Sequence, residues 1–103
     1  MPIMQGYMIA FHLPTGIPNR VYTKFQKRFY GQDTSSHGGK YRYRRAGILD
    51  NIPYRRLIRG VIVIREEDLD VIVAFLHEYN AEVHVRKIEL LNADIEHLSV
   101  ERD

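Results

Sequence analysis

The alternation of apolar and polar residues along this chain predicts six elements. Met4 to His12 (MQGYMIAFH) is a short apolar run with aromatics, as a buried strand requires. Leu13-Pro14-Thr15-Gly16-Ile17-Pro18 interrupts it with turn residues. From Asn19 to Tyr30 the period changes. Val21, Phe25 and Phe29 recur every four residues, with Tyr22 beside them, so this segment is a helix that Gly31 stops. Gln32 to Gly39 is polar and serine-rich and reads as a loop. Lys40 to Leu49 and Arg55 to Ile64 then form two strands of one hairpin, turned at Asp50-Asn51-Ile52-Pro53. Glu66 to Tyr79 is a helix on the spacing of Leu69, Ile72, Val73 and Leu76, with acids in its first turn and Asn80 as its C-cap. Glu82 to Leu91 is the last strand. The acidic tail Asn92 to Asp103 adds a short helix or an edge strand.

The order β-α-β-β-α-β predicts an α+β fold of the ferredoxin-like kind: a four-stranded antiparallel sheet with two helices on one face, in a single domain over residues 1–103. Its other face stays open. The apolar stretches Met4–Phe11, Val61–Ile64 and Val83–Leu91 supply that face too, which predicts a homodimer or a higher oligomer.

Composition narrows the function classes. The chain is 45% hydrophobic and 27% charged, which argues for a folded globule and against disorder. It has no cysteine, so disulfides, thiol catalysis and cysteine-ligated zinc are excluded. The N-terminus has neither a basic leader nor a long apolar run, and the expectation is a cytoplasmic protein without a membrane partner.

Charge changes the picture more. Residues 1–60 hold eleven Lys/Arg against two acids, and residues 61–103 hold four against eleven. Within His37–Gly60 stand seven cations, Lys40, Arg42, Arg44, Arg45, Arg55, Arg56 and Arg59, with the single acid Asp50. Like charges opposite one another in a hairpin cost about 0.2–1 kcal/mol per pair. Phosphate contact reverses that cost through counterion release, and arginine interleaved with tyrosine offers both phosphate forks and stacking surfaces. The leading expectation is therefore a non-catalytic protein that binds DNA or RNA through these residues and through Lys24, Lys27 and Arg28 of the first helix. The alternative is a small assembly or regulatory protein whose basic hairpin pairs with an acidic protein surface. A divergent nuclease is the third reading.

The segment Tyr7-Met8-Ile9-Ala10-Phe11-His12-Leu13-Pro14, followed by the basic helix Lys24–Gly31 (KFQKRFYG), resembles the Cas-two family of CRISPR-associated proteins. The resemblance covers about a third of the chain. It implies a ferredoxin-like homodimer that binds duplex DNA. Members of that family end the first strand with a metal-binding aspartate. Here the position is His12, and no acid occurs in the first 32 residues, so no metal site is carried over. Arg59-Gly60-Val61-Ile62-Val63-Ile64 resembles the basic-Gly opening of an RNA-recognition strand, but Val61 and Val63 occupy the stacking positions.

The histidines are His12, His37, His77, His84 and His97, with no HxxxH pair. If the last strand neighbours the first, His12 and His84 approach each other and form the one candidate acid–base pair. Two ordinary partly buried histidines are the simpler account. No cofactor motif or phosphate-cradling glycine loop is present, and no cofactor or metal is expected.

Overall fold

The computed structural model describes residues 4–36, 38–39 and 41–98, with side chains at all of these except 35, 36 and 41. It is a mixed α+β structure with a four-stranded antiparallel sheet, a two-stranded sheet and three α-helices among the described residues. The chain divides into two compact units: Met1–Thr15 with Pro53–Asp103, and Gly16–Ile52.

The first unit carries the larger sheet. Its strands are β1 (Gln5–His12), β4 (Tyr54–Ile58), β5 (Val61–Arg65) and β6 (Glu82–Glu89), in the spatial order β4-β5-β1-β6. The unbroken Val61–Ile64 run lies inside the sheet as expected, with Ile62, Val63 and Ile64 buried. A 3-10 turn (Glu66–Asp68) leads into α2 (Leu69–Glu78), whose Ile72, Phe75 and Leu76 are buried. Arg65 bonds Asp68 at 2.9 Å, which raises the guanidinium's affinity for its proton and fixes the entry to the helix. Tyr79 caps this helix, and Asn80, expected as its cap, follows with φ 57°, in the left-handed conformation that asparagine tolerates.

Of the acidic tail, residues 99–103 lie outside the described residues, and Asn92–Leu98 forms α3. Its start is capped from within: Asp94 Oδ2 accepts the Leu91 N–H at 2.9 Å. Ile95 and Leu98 form a core cluster with Val63 and Leu90, and Met4 and Ile88 pack against it. Val63 faces Met8 across the ladder and Ile88 faces Gly6, so α3 lies on the sheet face that carries Gly6 and Met8. Part of the apolar surface from which self-association is expected is therefore covered within the chain.

The second unit contains α1 (Asn19–Tyr30), β2 (Gln32–Ser36), β3 (Tyr41–Arg45) and a 3-10 turn (Ile48–Asn51). The α1 bounds match the periodicity. Phe25 and Phe29 are buried and stacked, with ring centroids 5.2 Å apart.

Two expectations fail here. Gln32–Gly39 is not all loop, since Gln32–Ser36 pairs antiparallel with β3. Nor do Lys40–Leu49 and Arg55–Ile64 form one hairpin. β3 pairs with β2, and the expected second arm is itself a hairpin of β4 and β5. The physical causes are local. Gly47 N–H donates to Asp50 Oδ2 at 2.7 Å and winds residues 48–51 into a 3-10 turn, which ends β3 early. Gly60, at φ 82°, supplies the left-handed residue of a two-residue turn inside what reads as continuous strand.

Candidate nucleic-acid interface

The expected basic residues fall into two groups. Lys24, Lys27, Arg28, Arg42, Arg44 and Arg45 belong to the Gly16–Ile52 unit, whereas Arg55, Arg56 and Arg59 belong to the other. Lys40 lies outside the described residues.

On α1 the cations follow the helical repeat. Arg20, Lys24, Lys27 and Arg28 stand at i, i+4, i+7 and i+8, so they share one side of the helix and span roughly 12 Å of its axis. All four are exposed, opposite the buried Phe25 and Phe29. No acid occurs on this helix. Arg20 is missing from the sequence-derived set, although the same spacing identifies it. Lys27 and Arg28 also occupy the last turn, where the dipole favours cations.

The β2–β3 hairpin gives its arginines different tasks. Alternation puts Arg42 and Arg44 on one face of β3, opposite Ser35 and Asp33. Arg44 acts as a clamp. Its Nη1 bonds Asp33 Oδ1 at 3.1 Å, its Nε and Nη2 both bond Asp50 Oδ1 at 3.2 and 2.7 Å, and its Nη2 also donates to the Tyr30 carbonyl at 2.7 Å. The Arg44 hydrogen bond, helped by the Gly47 N–H, holds the Asp50 carboxyl below its ordinary range, and the bonds to Asp50 and then Asp33 raise Arg44. Arg44 thus ties the end of α1, β2 and the 3-10 turn to β3. Arg42 and Arg45 are exposed. Arg42 lines a cavity of about 480 Å³ together with Asp33, Thr34, Gly39 and Tyr43.

This unit carries eight Lys/Arg and two acids, a balance of +6. Both acids, Asp33 and Asp50, are ligands of Arg44.

In the other unit Arg55 is likewise bound by a carboxylate. Its Nη1 bonds Asp94 Oδ1 at 2.7 Å, and Asp94 is 5% exposed. This contact ties the edge strand β4 to α3. Arg56 and Arg59 are exposed around the β4–β5 turn.

β1 and β6 are neighbours, as the histidine argument requires. His84 stands opposite Ala10, and Glu82 stands opposite His12. Glu82 accepts a 2.7 Å hydrogen bond from His84 Nε2, and that bond, with a smaller contribution from His12, lowers the Glu82 carboxyl. Both histidines are exposed. Glu82 thus neighbours both histidines, as the hydrogen-bonded partner of His84 and the cross-strand partner of His12. Among the described residues no group of three His, Cys, Asp or Glu side chains could hold a metal ion, and no helix is long and apolar enough to cross a membrane.

No family model, curated protein or solved structure matches the chain.

Proposed function

We propose that this chain binds nucleic acid without catalysis, with the Gly16–Ile52 unit making the phosphate contacts. The observation that carries the reading is the charge arrangement of that unit: a four-residue cationic side on α1, two exposed arginines on β3, and both acids engaged by Arg44. Arg20, Lys24, Lys27, Arg42 and Arg45 are the contact residues. Arg44 and Arg55, expected as contacts from sequence, act as scaffold instead. We also read the four-stranded sheet as ferredoxin-like. The position of β1 between β5 and β6 supports this, since interlocked split βαβ units need that order. The resemblance of the first strand and helix to the Cas-two family implies the same pairing of fold and ligand.

The test is the salt dependence of duplex binding, read by anisotropy of a labelled mixed-sequence duplex. With one phosphate met by each of the five contact residues, log affinity should fall against log salt with a slope of about −4.5. The Lys24→Ala/Lys27→Ala variant alters two exposed positions, and its slope should be shallower by about 2. Affinity independent of salt in the unaltered protein would refute phosphate contact. An unchanged slope in the variant would remove α1 from the interface.

A further inference from the structure

Leu57 and Ile58 are large apolar side chains, adjacent in sequence, and 43% and 67% exposed. They sit at the tip of the β4–β5 hairpin with Arg56 before them and Arg59 after them, both exposed. β4 is an edge strand, where exposed aliphatic residues invite unwanted pairing. The tip is also held firmly. The ladder shifts register between Arg56 and Ile58, so Leu57 lies in a bulge, a device that re-aims side chains. Beyond it the turn is fastened to β1, because Phe11 N–H donates to the Gly60 carbonyl at 2.8 Å. At the other end of β4, Arg55 is bonded to the buried Asp94. An apolar pair that is presented, flanked by cations and fixed at both ends is preorganised to enter something anionic.

We propose that Arg56-Leu57-Ile58-Arg59 is a wedge that enters the minor groove of a duplex and separates a base step. This rests on the nucleic-acid reading above but uses a different unit of the protein and a different kind of contact. Proteins that bend DNA through the minor groove insert aliphatic side chains in this way while neighbouring arginines meet the groove's negative potential. An anionic membrane offers the same chemistry, but magnitude disfavours it. A whole myristoyl chain gives only marginal membrane binding, about 10⁴ M⁻¹, and two partly buried side chains bury less than that chain does. A duplex needs only one opened step. The wedge should favour TA and CA steps, which unstack most easily.

The experiment uses the complete chain and short duplexes that carry 2-aminopurine beside a central TA step, with a dye pair at the ends to report bending. At saturation the 2-aminopurine emission should rise at least twofold and the duplex ends should approach each other. Leu57→Ser and Ile58→Ser should each abolish the rise and leave the salt slope as in the unaltered protein. Circular dichroism verifies that each variant is folded. Saturable, salt-dependent binding with no emission change overturns the wedge and leaves the phosphate-binding reading intact. A rise that persists in both variants also overturns the wedge. No duplex binding at all overturns both. Binding to phosphatidylserine vesicles that needs Leu57 and Ile58, without any effect on the duplex, assigns the tip to a membrane and overturns the proposal.

Discussion

Replacing Arg55 with alanine separates a scaffold arginine from a phosphate-binding one. The Arg55–Asp94 pair closes at 2.7 Å, with Asp94 almost wholly buried and the Arg55 side chain 33% exposed. Removing one partner from a buried ion pair costs about 3–5 kcal/mol when the other charge is stranded. Two features of this site reduce that figure. Asp94 retains the Leu91 N–H as a second partner, and water reaching the guanidinium already screens part of the attraction. An expected loss of about 2 kcal/mol follows. For a domain of this size each kcal/mol lowers Tm by about 4–8 °C, so the variant should melt about 8–16 °C lower. The Arg55→Leu/Asp94→Leu double variant strands no charge and should recover part of the loss relative to Arg55→Leu. Recovery is partial because the acceptor for Leu91 N–H disappears with Asp94. Thermal melts by circular dichroism measure all of these variants, and duplex titrations measure Arg55→Ala in parallel. A Tm shift under about 2 °C, or a double variant no better than the single, would refute the scaffold role. A salt slope shallower by about one in the folded Arg55→Ala protein would return this residue to the interface.

Asp50→Asn should loosen the Arg44 clamp and lower Tm at neutral pH. Because the folded Asp50 carboxyl is depressed, its contribution is complete above the ordinary carboxylate range and is lost as pH falls through the folded value. Melts of the two proteins should therefore converge on acidification, and a constant gap down to strongly acid pH would contradict the assignment. Gly47→Ala should destabilise by about 1–3 kcal/mol, since a Cβ there meets the backbone of Gly31 and Phe29. Urea unfolding measures this, and a neutral result would mean that the end of α1 yields to the added methyl.

Elements with a strong period were legible from sequence. The spacing of Val21, Phe25 and Phe29 gives α1 its observed bounds, and the Leu69–Leu76 stripe locates α2 to within three residues at its start. The neighbouring of β1 and β6 was also within reach, because the antiparallel pattern leaves few partners for the first strand. The hairpins differ from the expectation because their signals are not hydrophobic. β2 (QDTSS) has no apolar alternation and depends on cross-strand polar contacts, Asp33 to Arg44 and Thr34 Oγ1 to the Tyr43 carbonyl. Arg59-Gly60 sits between apolar residues on both sides, so the turn is masked by its neighbours. The candidate site suffered from the same blindness. Arg44 and Arg55 look like their neighbours in sequence, and only the positions of Asp50, Asp33 and Asp94 distinguish a clamp from a contact. Arg20 needed only the helical repeat already in hand.

The engagement of Asp33 and Asp50 by a single arginine also bears on the folding equilibrium of the Gly16–Ile52 segment. On α1, Arg20 and Lys24, and likewise Lys24 and Arg28, stand one turn apart, about 6 Å along the axis. That is shorter than the Debye length of about 8 Å at physiological ionic strength, so their repulsion is only partly screened. Folding gathers these charges and unfolding spreads them, and the compact state carries a self-repulsion that the expanded chain relieves. Simple salt then strengthens this segment's fold while it weakens contact with a polyanion. A polyanion bound to the folded surface does more, because it draws the population toward the native form by mass action. A polyanionic ligand of the kind proposed above would thus add to this segment's stability, and its occupancy and the segment's foldedness would rise together.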